Sequence, residues 1–302
     1  MVRGWRSAAI GGVLWCASAT AAAHPGATTE IRDTSARIHD APDDVELRLR
    51  RADLYRRAEH YRDALADLRV VARLDPDRRE LLLQRALVHV AMGKTAAARR
   101  DLDAFVDGGE ANALAYWTRA KLRRDTDDLE GARADYDAAI ALGSTPDAYL
   151  ERAAVDEARG DLEAAAAGLA EGCEGHAPPV VLMLARVDVE RRRGATAIAL
   201  ELVDQLLATA PHRADWTLTR AEILTELGRD DEALADRLRA LAFAEAAVVG
   251  RGSALHRLTR GRVYLALGET TAARDEFAWV LTHAPHLTEA ASLLASAKRA
   301  SP

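Results

Sequence analysis

Seven arginines recur along this chain at a nearly constant spacing, and all but one precede a small residue: Arg51, Arg85, Arg119, Arg152, Arg186, Arg220 and Arg260. Five of them have an acidic residue sixteen positions later: Asp67, Asp101, Asp135, Asp236 and Glu276. Gly168 and Leu202 occupy that position in the other two. A row of arginines could bind phosphate or carboxylate groups. Because the acids follow the arginines, we instead predict bidentate, partly buried ion pairs between helices.

Two further clusters have residue types that bind phosphate or a metal ion. Gly93 and Lys94 match the end of a phosphate-binding loop, but Val88 stands where that loop needs its first glycine. His283 and His286 could offer two imidazoles, but the proline between them breaks the helix that would hold both on one face. We predict a turn at each place. No nucleophile, base and acid are marked together, so we predict no catalytic residue.

The first 23 residues have the pattern of a secretory signal peptide. Arg3 and Arg6 give a positive start, residues 8–19 are apolar, and alanines 21–23 suit cleavage. The apolar stretch is too short and too rich in glycine and alanine to predict a transmembrane helix. We therefore expect a periplasmic or secreted protein. An uncleaved signal that tethers the chain to a membrane is the alternative.

Cleavage after Ala23 would make His24 the amino terminus. An α-amine beside an imidazole can chelate copper, so His24 is a speculative metal ligand. The other interpretation is a disordered start, because Pro25 and Gly26 follow. Cys173 would then be the sole cysteine of the mature chain, which excludes an intrachain disulfide.

The spacing of about 34 residues is that of a helix–turn–helix repeat, and the units resemble tetratricopeptide repeats (TPRs). The small residue of the first helix falls at Ala52, Ala86, Ala120, Ala153, Ala221 and Gly261, with Val187 as the departure. The alanine of the second helix falls at Ala64, Ala98, Ala132, Ala165, Ala199, Ala233 and Ala273. An aromatic position four residues after each arginine departs from the family at His89, Arg123, Asp156, Glu190 and Leu224.

The resemblance implies an all-α fold, a right-handed α-solenoid of about seven TPR-like helical hairpins with capping helices. The predicted divisions are a signal peptide at 1–23, a tail and capping helix at 24–44, repeats over 45–287 and a capping helix at 288–302. The repeats span 45–78, 79–112, 113–145, 146–179, 180–213, 214–247 and 254–287. Residues 248–253 are extra, and Gly250 and Gly252 favour a loop insertion there.

In TPR arrays the first helices line the ligand groove. Carrying that surface over gives seven candidate partner-binding residues: Arg50, Arg57, Leu83, Leu87, Trp117, Lys121 and Arg124. Later repeats place acidic residues there, at Asp147, Glu151, Glu157, Glu222 and Glu226. We therefore expect a groove that is basic and partly apolar early and acidic later. Trp117 is either an anchor for a partner or a residue that packs between repeats.

The resemblance implies a non-catalytic scaffold or adaptor that binds a protein or peptide partner, and the signal pattern predicts its place in the bacterial cell envelope. A copper-handling periplasmic protein that uses His24 on a TPR platform is the alternative function. We expect no cofactor. The formal net charge of −6 argues against nucleic acid as a partner, because nucleic-acid binding needs a basic surface.

Overall fold

A computed structural model describes residues 25–143, 145–175 and 177–300. These residues form sixteen α-helices joined by short turns, and no strand occurs among them. The predicted all-α class is therefore confirmed. In the same ranges, no helix has the length and apolar character that crossing a bilayer requires. The chain divides into two compact units, residues 1–115 and 116–302, which are described separately.

Between residues 25 and 115, the first unit contains five whole helices and the first turn of a sixth. Their bounds are α1 Pro25–Asp40, α2 Val45–Arg57, α3 Tyr61–Leu74, α4 Glu80–Ala91 and α5 Thr95–Asp107, and α6 begins at Ala113. Helices α2 and α3 form one hairpin, and α4 and α5 form the next. Helix α1 packs against α2 and buries Ile38. It therefore covers the end of the first hairpin, the role expected of a capping helix.

The second unit contains the rest of α6, which ends at Arg124, and ten further helices. Their bounds are α7 Leu129–Ala141, α8 Pro146–Ala158, α9 Leu162–Gly172, α10 Val180–Arg192, α11 Thr196–Thr209, α12 Ala214–Glu226, α13 Asp230–Arg251, α14 Ala254–Ala266, α15 Thr270–His283 and α16 Glu289–Arg299. Five hairpins run from α6/α7 to α14/α15. Helix α16 buries Ala290 and Ala297 against the last hairpin and exposes Lys298 and Arg299.

Small residues let the two helices of each hairpin approach closely. The second-helix alanines are all 0% exposed, and large residues such as Leu68, Leu102 and Phe277 fill the space one turn later. In the last hairpin the small residue is Gly261, where an added Cβ would lie 2.6 Å from the ring of Phe277. The predicted packing pattern therefore has a direct steric cause.

Each first helix ends in a left-handed residue eight positions after its repeat arginine. Gly93, Gly160, Gly194, Gly228 and Gly268 hold this position with φ between 69° and 82°. In the first and third hairpins Glu59 and Asp127 take it instead, with φ of 61° and 63°. The next residue donates its N–H back across the turn, as Lys94 does to the His89 carbonyl at 2.8 Å. This bond reverses the chain into the second helix.

The extra residues before the last hairpin differ from the prediction. They do not form a loop, because α13 continues without interruption through Gly250 to Arg251. Gly252 then ends the helix at φ 50°, and Ser253 caps α14 by accepting the His256 N–H at 3.3 Å. The last turns of α13 expose Val249, which is 88% accessible. The insertion is therefore a helical extension.

Candidate functional site

The repeat arginines are ion-paired, as the sixteen-residue spacing predicts. Arg51 donates from Nε and Nη2 to both carboxylate oxygens of Asp67, each at 2.7 Å. Arg119 does the same to Asp135 at 2.8 and 2.7 Å. Arg85 binds Asp101 in the same bidentate way, at 2.9 and 2.6 Å. Arg220 forms an ion pair with Asp236 at 2.9 Å, and Arg260 forms one with Glu276. The hydrogen bonds to Asp67 raise the pKa of Arg51 above its usual value.

The fourth hairpin, which lacks the second-helix acid, holds its arginine differently. Arg152 donates to the Gly168 carbonyl at 3.3 Å and to the carboxylates of Asp137 and Glu171 at 2.8 and 2.6 Å. A Cβ at Gly168 would lie 2.8 Å from Arg152 Nη2. The Arg152 guanidinium fills the space that a side chain at position 168 would need, so only glycine fits there without displacement of Arg152.

In both hairpins without the second-helix acid, a buried acid stands on the first helix, four residues after the arginine. Asp156 is fully buried and accepts from Arg133 at 2.8 Å and from Arg159 at 3.0 Å. Glu190 is 1% exposed and accepts from Arg186 at 3.3 Å. In the fifth hairpin this first-helix acid, Glu190, binds its own repeat arginine, whereas in the fourth hairpin Asp156 binds Arg133 and Arg159. In the sequence, both acids are visible only as departures from an aromatic position.

These contacts decide between the two interpretations of the arginine row. Carboxylates bind these guanidinium groups, so the arginines are not presented together to a ligand. The structural interpretation is therefore correct.

The seven candidate partner-binding residues are divided between the two units. In the first unit Arg50 is exposed, Arg57 is exposed and pairs with Asp53 at 2.7 Å, and Leu87 is half-buried. Leu83 is only 6% exposed, because it faces the core of its unit. The structure thus leaves Leu83 little surface with which to contact a partner.

In the second unit Trp117 is half-buried against the cluster that contains Tyr136 and Val155. The Lys121 ammonium lies 4.5 Å from the centre of its indole ring. Arg124 contacts the Glu151 carboxylate on the next first helix. Trp117 therefore packs within its unit, and its remaining exposed surface is next to a cation.

Four of the five later acidic residues are neutralised by arginines of neighbouring first helices, and the fifth, Asp147, is exposed at the start of α8. Glu151 is paired with Arg124, and Glu157 with Arg192. Arg191 binds both Glu222, at 3.2 Å, and Glu226, at 2.5 Å. Contrary to the prediction of an acidic later groove, the first helices α8, α10 and α12 carry compensated charge. Sequence alone does not show which arginine each carboxylate meets.

Apolar side chains that sequence analysis missed are exposed at the start of α10. Val180, Val181 and Leu184 are 43%, 50% and 36% exposed, whereas Leu182 and Met183 between them are buried. The run of five apolar residues from 180 to 184 is the signal that could have found them, because a helix cannot bury five consecutive side chains. Helix α10 therefore presents an apolar first turn and ion pairs at its other end.

Of the candidate phosphate and metal residues, Gly93, Lys94 and His286 lie in the turns between helices, as predicted, whereas His283 is the last residue of α15. Lys94 is exposed at the start of α5. His283 stacks on Trp279 with ring centres 4.0 Å apart and contacts the Trp279 carbonyl through Nδ1 at 2.9 Å. Within the described ranges, no three His, Cys, Asp or Glu side chains are grouped to hold a metal ion. His24 and the proposed signal peptide lie outside those ranges.

A sequence model of the tetratricopeptide repeat family matches residues 83–145 and 184–248. These two segments are tetratricopeptide repeats. Both matched segments contain the paired arginines and second-helix alanines described above. No curated protein matches the chain by sequence.

Several solved TPR structures share this fold. A tetratricopeptide repeat protein from Parabacteroides merdae aligns over 84% of this chain and 98% of its own, with 18% identity and a TM-score of 0.54. The C-terminal part of a TPR protein from Cytophaga hutchinsonii aligns over 82% and 99%, with 14% identity and a TM-score of 0.57. A Naa15/Naa10 complex bound to HypK aligns over 85% of this chain but 39% of that one, with 16% identity and a TM-score of 0.50. At these identities the likeness concerns the fold alone.

Proposed function

We propose that the protein is a non-catalytic scaffold that binds a protein or peptide partner on the first helices of its second unit. The observation that carries the proposal is the exposed apolar turn of α10, formed by Val180, Val181 and Leu184. Large apolar side chains exposed together are a common feature of protein-binding surfaces. The family supports the same conclusion, since TPR proteins are generally non-catalytic scaffolds.

The charged residues of α10 are already paired within the protein, which favours a partner that binds mainly through apolar contacts. Arg191 and Arg192 at the end of α10 are already bound by carboxylates of α8 and α12. A charged partner would have to break those contacts and gain only part of their energy in return. We therefore expect the partner to place an aliphatic or aromatic side chain against Leu184. The Naa15/Naa10 complex bound to HypK shows a protein of similar fold in a protein complex.

We further propose that the scaffold acts as an adaptor in a bacterial cell envelope, in the periplasm or as a secreted protein. This part rests on sequence alone: the early arginines, the apolar residues 8–19 and the alanines at 21–23. An intact-mass measurement of the protein recovered from the cell envelope would test it. A mass that corresponds to a chain starting at His24 supports the proposal. A mass that corresponds to the full chain, recovered from a soluble cell fraction, contradicts it.

A site-specific photo-crosslinker tests the binding surface. Placed at Val181 or Leu184, it should capture discrete protein adducts from an extract of the source cells. The matched control is Ala278, which is exposed on a second helix of the same unit. Leu184→Asp should then abolish the adduct formed at position 181. Adducts that appear equally at position 278, or that survive Leu184→Asp in a folded protein, contradict the proposed surface.

A further inference from the structure

Three arginines on α3 in the first unit have no carboxylate to bind. Arg62, Arg69 and Arg73 are spaced by seven and four residues, so they share one face of the helix, and all three are exposed. Among the described residues, no carboxylate oxygen lies within ion-pair distance of them. This differs from the repeat arginines, which carboxylates engage. The outer face of α3 therefore carries uncompensated positive charge on a chain whose net charge is negative.

Two shallow cavities open on this face, and Arg69 lines both. One, of about 300 Å³, is formed by Leu65, Leu68, Arg69 and Ala72 of α3 with Arg85 of α4. The other, of about 560 Å³, lies along Ala66, Arg69, Val70 and Arg73. Apart from the arginines, every side chain in both linings is aliphatic. We call this surface the α3 groove; it has an apolar floor and a rim of guanidinium groups.

The rim is partly held in place before any partner arrives. Arg69 donates from Nε to the Leu65 carbonyl at 3.1 Å, which leaves both Nη groups available. Arg85 uses Nε and Nη2 for Asp101 at 2.9 and 2.6 Å, so its Nη1 keeps its donors. A guanidinium fixed in this way loses less side-chain entropy when it binds a carboxylate.

We propose that the α3 groove docks an acidic, amphipathic segment of a partner protein. Its carboxylates would meet Arg69 and Arg73, and its aliphatic side chains would cover Leu65, Val70 and Ala72. The groove lies on a second helix of the first unit, so the proposal is independent of the first-helix surface around α10.

The composition of the groove selects this occupant over a nucleic acid. Binding of single strands relies on aromatic side chains that stack with bases, and neither lining contains one. Binding of duplexes relies on many phosphate contacts along an extended basic surface, whereas α3 offers three unpaired arginines. An acidic amphipathic segment uses both the cations and the apolar floor.

A synthetic peptide tests the proposal on the full chain. The probe is a fluorescent peptide with leucines at i, i+4 spacing and glutamates between them. The variant Arg69→Glu with Arg73→Glu should weaken its binding at least about tenfold, because each reversal turns an attraction into a repulsion. Arg37→Glu with Lys94→Glu is the matched control, since it makes the same charge change at two exposed cations of the same unit. The control should bind within about twofold of the unchanged protein.

Two altered peptides separate the possible occupants. Replacing glutamate by glutamine should remove binding, and replacing leucine by serine should weaken it at least as strongly as the double reversal does. Equal weakening by the control variant, or undiminished binding of the serine peptide, would overturn the proposal, because the groove would then attract any anion. A single-stranded oligonucleotide that binds more tightly than the acidic peptide would also overturn it. Circular dichroism of each variant checks that the helices are retained.

Discussion

The Arg119–Asp135 pair allows the structural role of the repeat arginines to be measured. Both side chains are buried, with 8% and 4% of their surface exposed, and two parallel hydrogen bonds join them. Arg123 adds a third bond to Asp135 at 2.9 Å. Asp135→Ala leaves Arg119 without this carboxylate, so we expect a loss of about 3–4 kcal/mol in local stability. Arg119→Ala should cost less, about 2 kcal/mol, because Arg123 still serves Asp135.

The double variant should lose less than the sum of the two single changes, with a coupling energy of about 2 kcal/mol. The Arg85–Asp101 pair is the comparison. It makes the same two hydrogen bonds, at 2.9 and 2.6 Å, but the Arg85 side chain is 37% exposed. Because water can serve an exposed guanidinium after the acid is removed, we expect a coupling there of about 1 kcal/mol or less.

Repeat arrays need not unfold in a single step, so hydrogen exchange is the suitable assay. The slowest amides of α7 report on the Asp135 cycle, and those of α5 report on the Asp101 cycle. If the stability losses of the Arg119 and Asp135 variants simply add, the two residues do not stabilise the protein as a pair. Equal coupling in the two cycles would show that burial does not set the strength of these pairs. Either result would refute the reasoning.

Three further outcomes are expected. Gly168→Ala should lower stability by about 1–2 kcal/mol in a denaturant titration, since its Cβ would displace Arg152; an unchanged midpoint would contradict this. Gly228→Ala should cost about 1 kcal/mol for strain alone, because φ is 73° and no atom lies near the added Cβ. Burial raises the pKa of the Cys173 thiol, with Arg186 opposing, so iodoacetamide should alkylate it more slowly in the folded than in the denatured protein at mildly alkaline pH, as peptide mass spectrometry would show.

The sequence was sufficient to predict the hairpins because their packing follows a period. Ala64 and Ala98 are 34 residues apart and fully buried, and the same spacing located the paired acids. The helical extension of α13 was missed because glycine usually weakens a helix interior. Gly250 costs a helix only about 1 kcal/mol, which the continued backbone hydrogen bonding of α13 offsets.

The candidate binding surface was less predictable, because it depends on contacts between hairpins. Arg124 looked available to a partner, yet Glu151 of the following first helix binds it. Glu222 looked acidic, yet Arg191 lies 3.2 Å away. Such pairs join residues 27 and 31 positions apart, and a period of 34 does not state which side chains meet across adjacent hairpins.

Buried charges of the second unit are paired between neighbouring hairpins, so these hairpins are not interchangeable. A chain built from near-identical repeats can dock one hairpin in the place of another while it folds. Here Arg133 requires Asp156 of the next hairpin, and Arg152 requires Asp137 of the preceding one. A hairpin docked out of order would bury an unmatched charge, at a cost of about 3–5 kcal/mol. The ion pairs between hairpins therefore specify the order of the repeats. A chain with its fourth and sixth hairpins exchanged should fail to fold into the array, although its repeat period is intact.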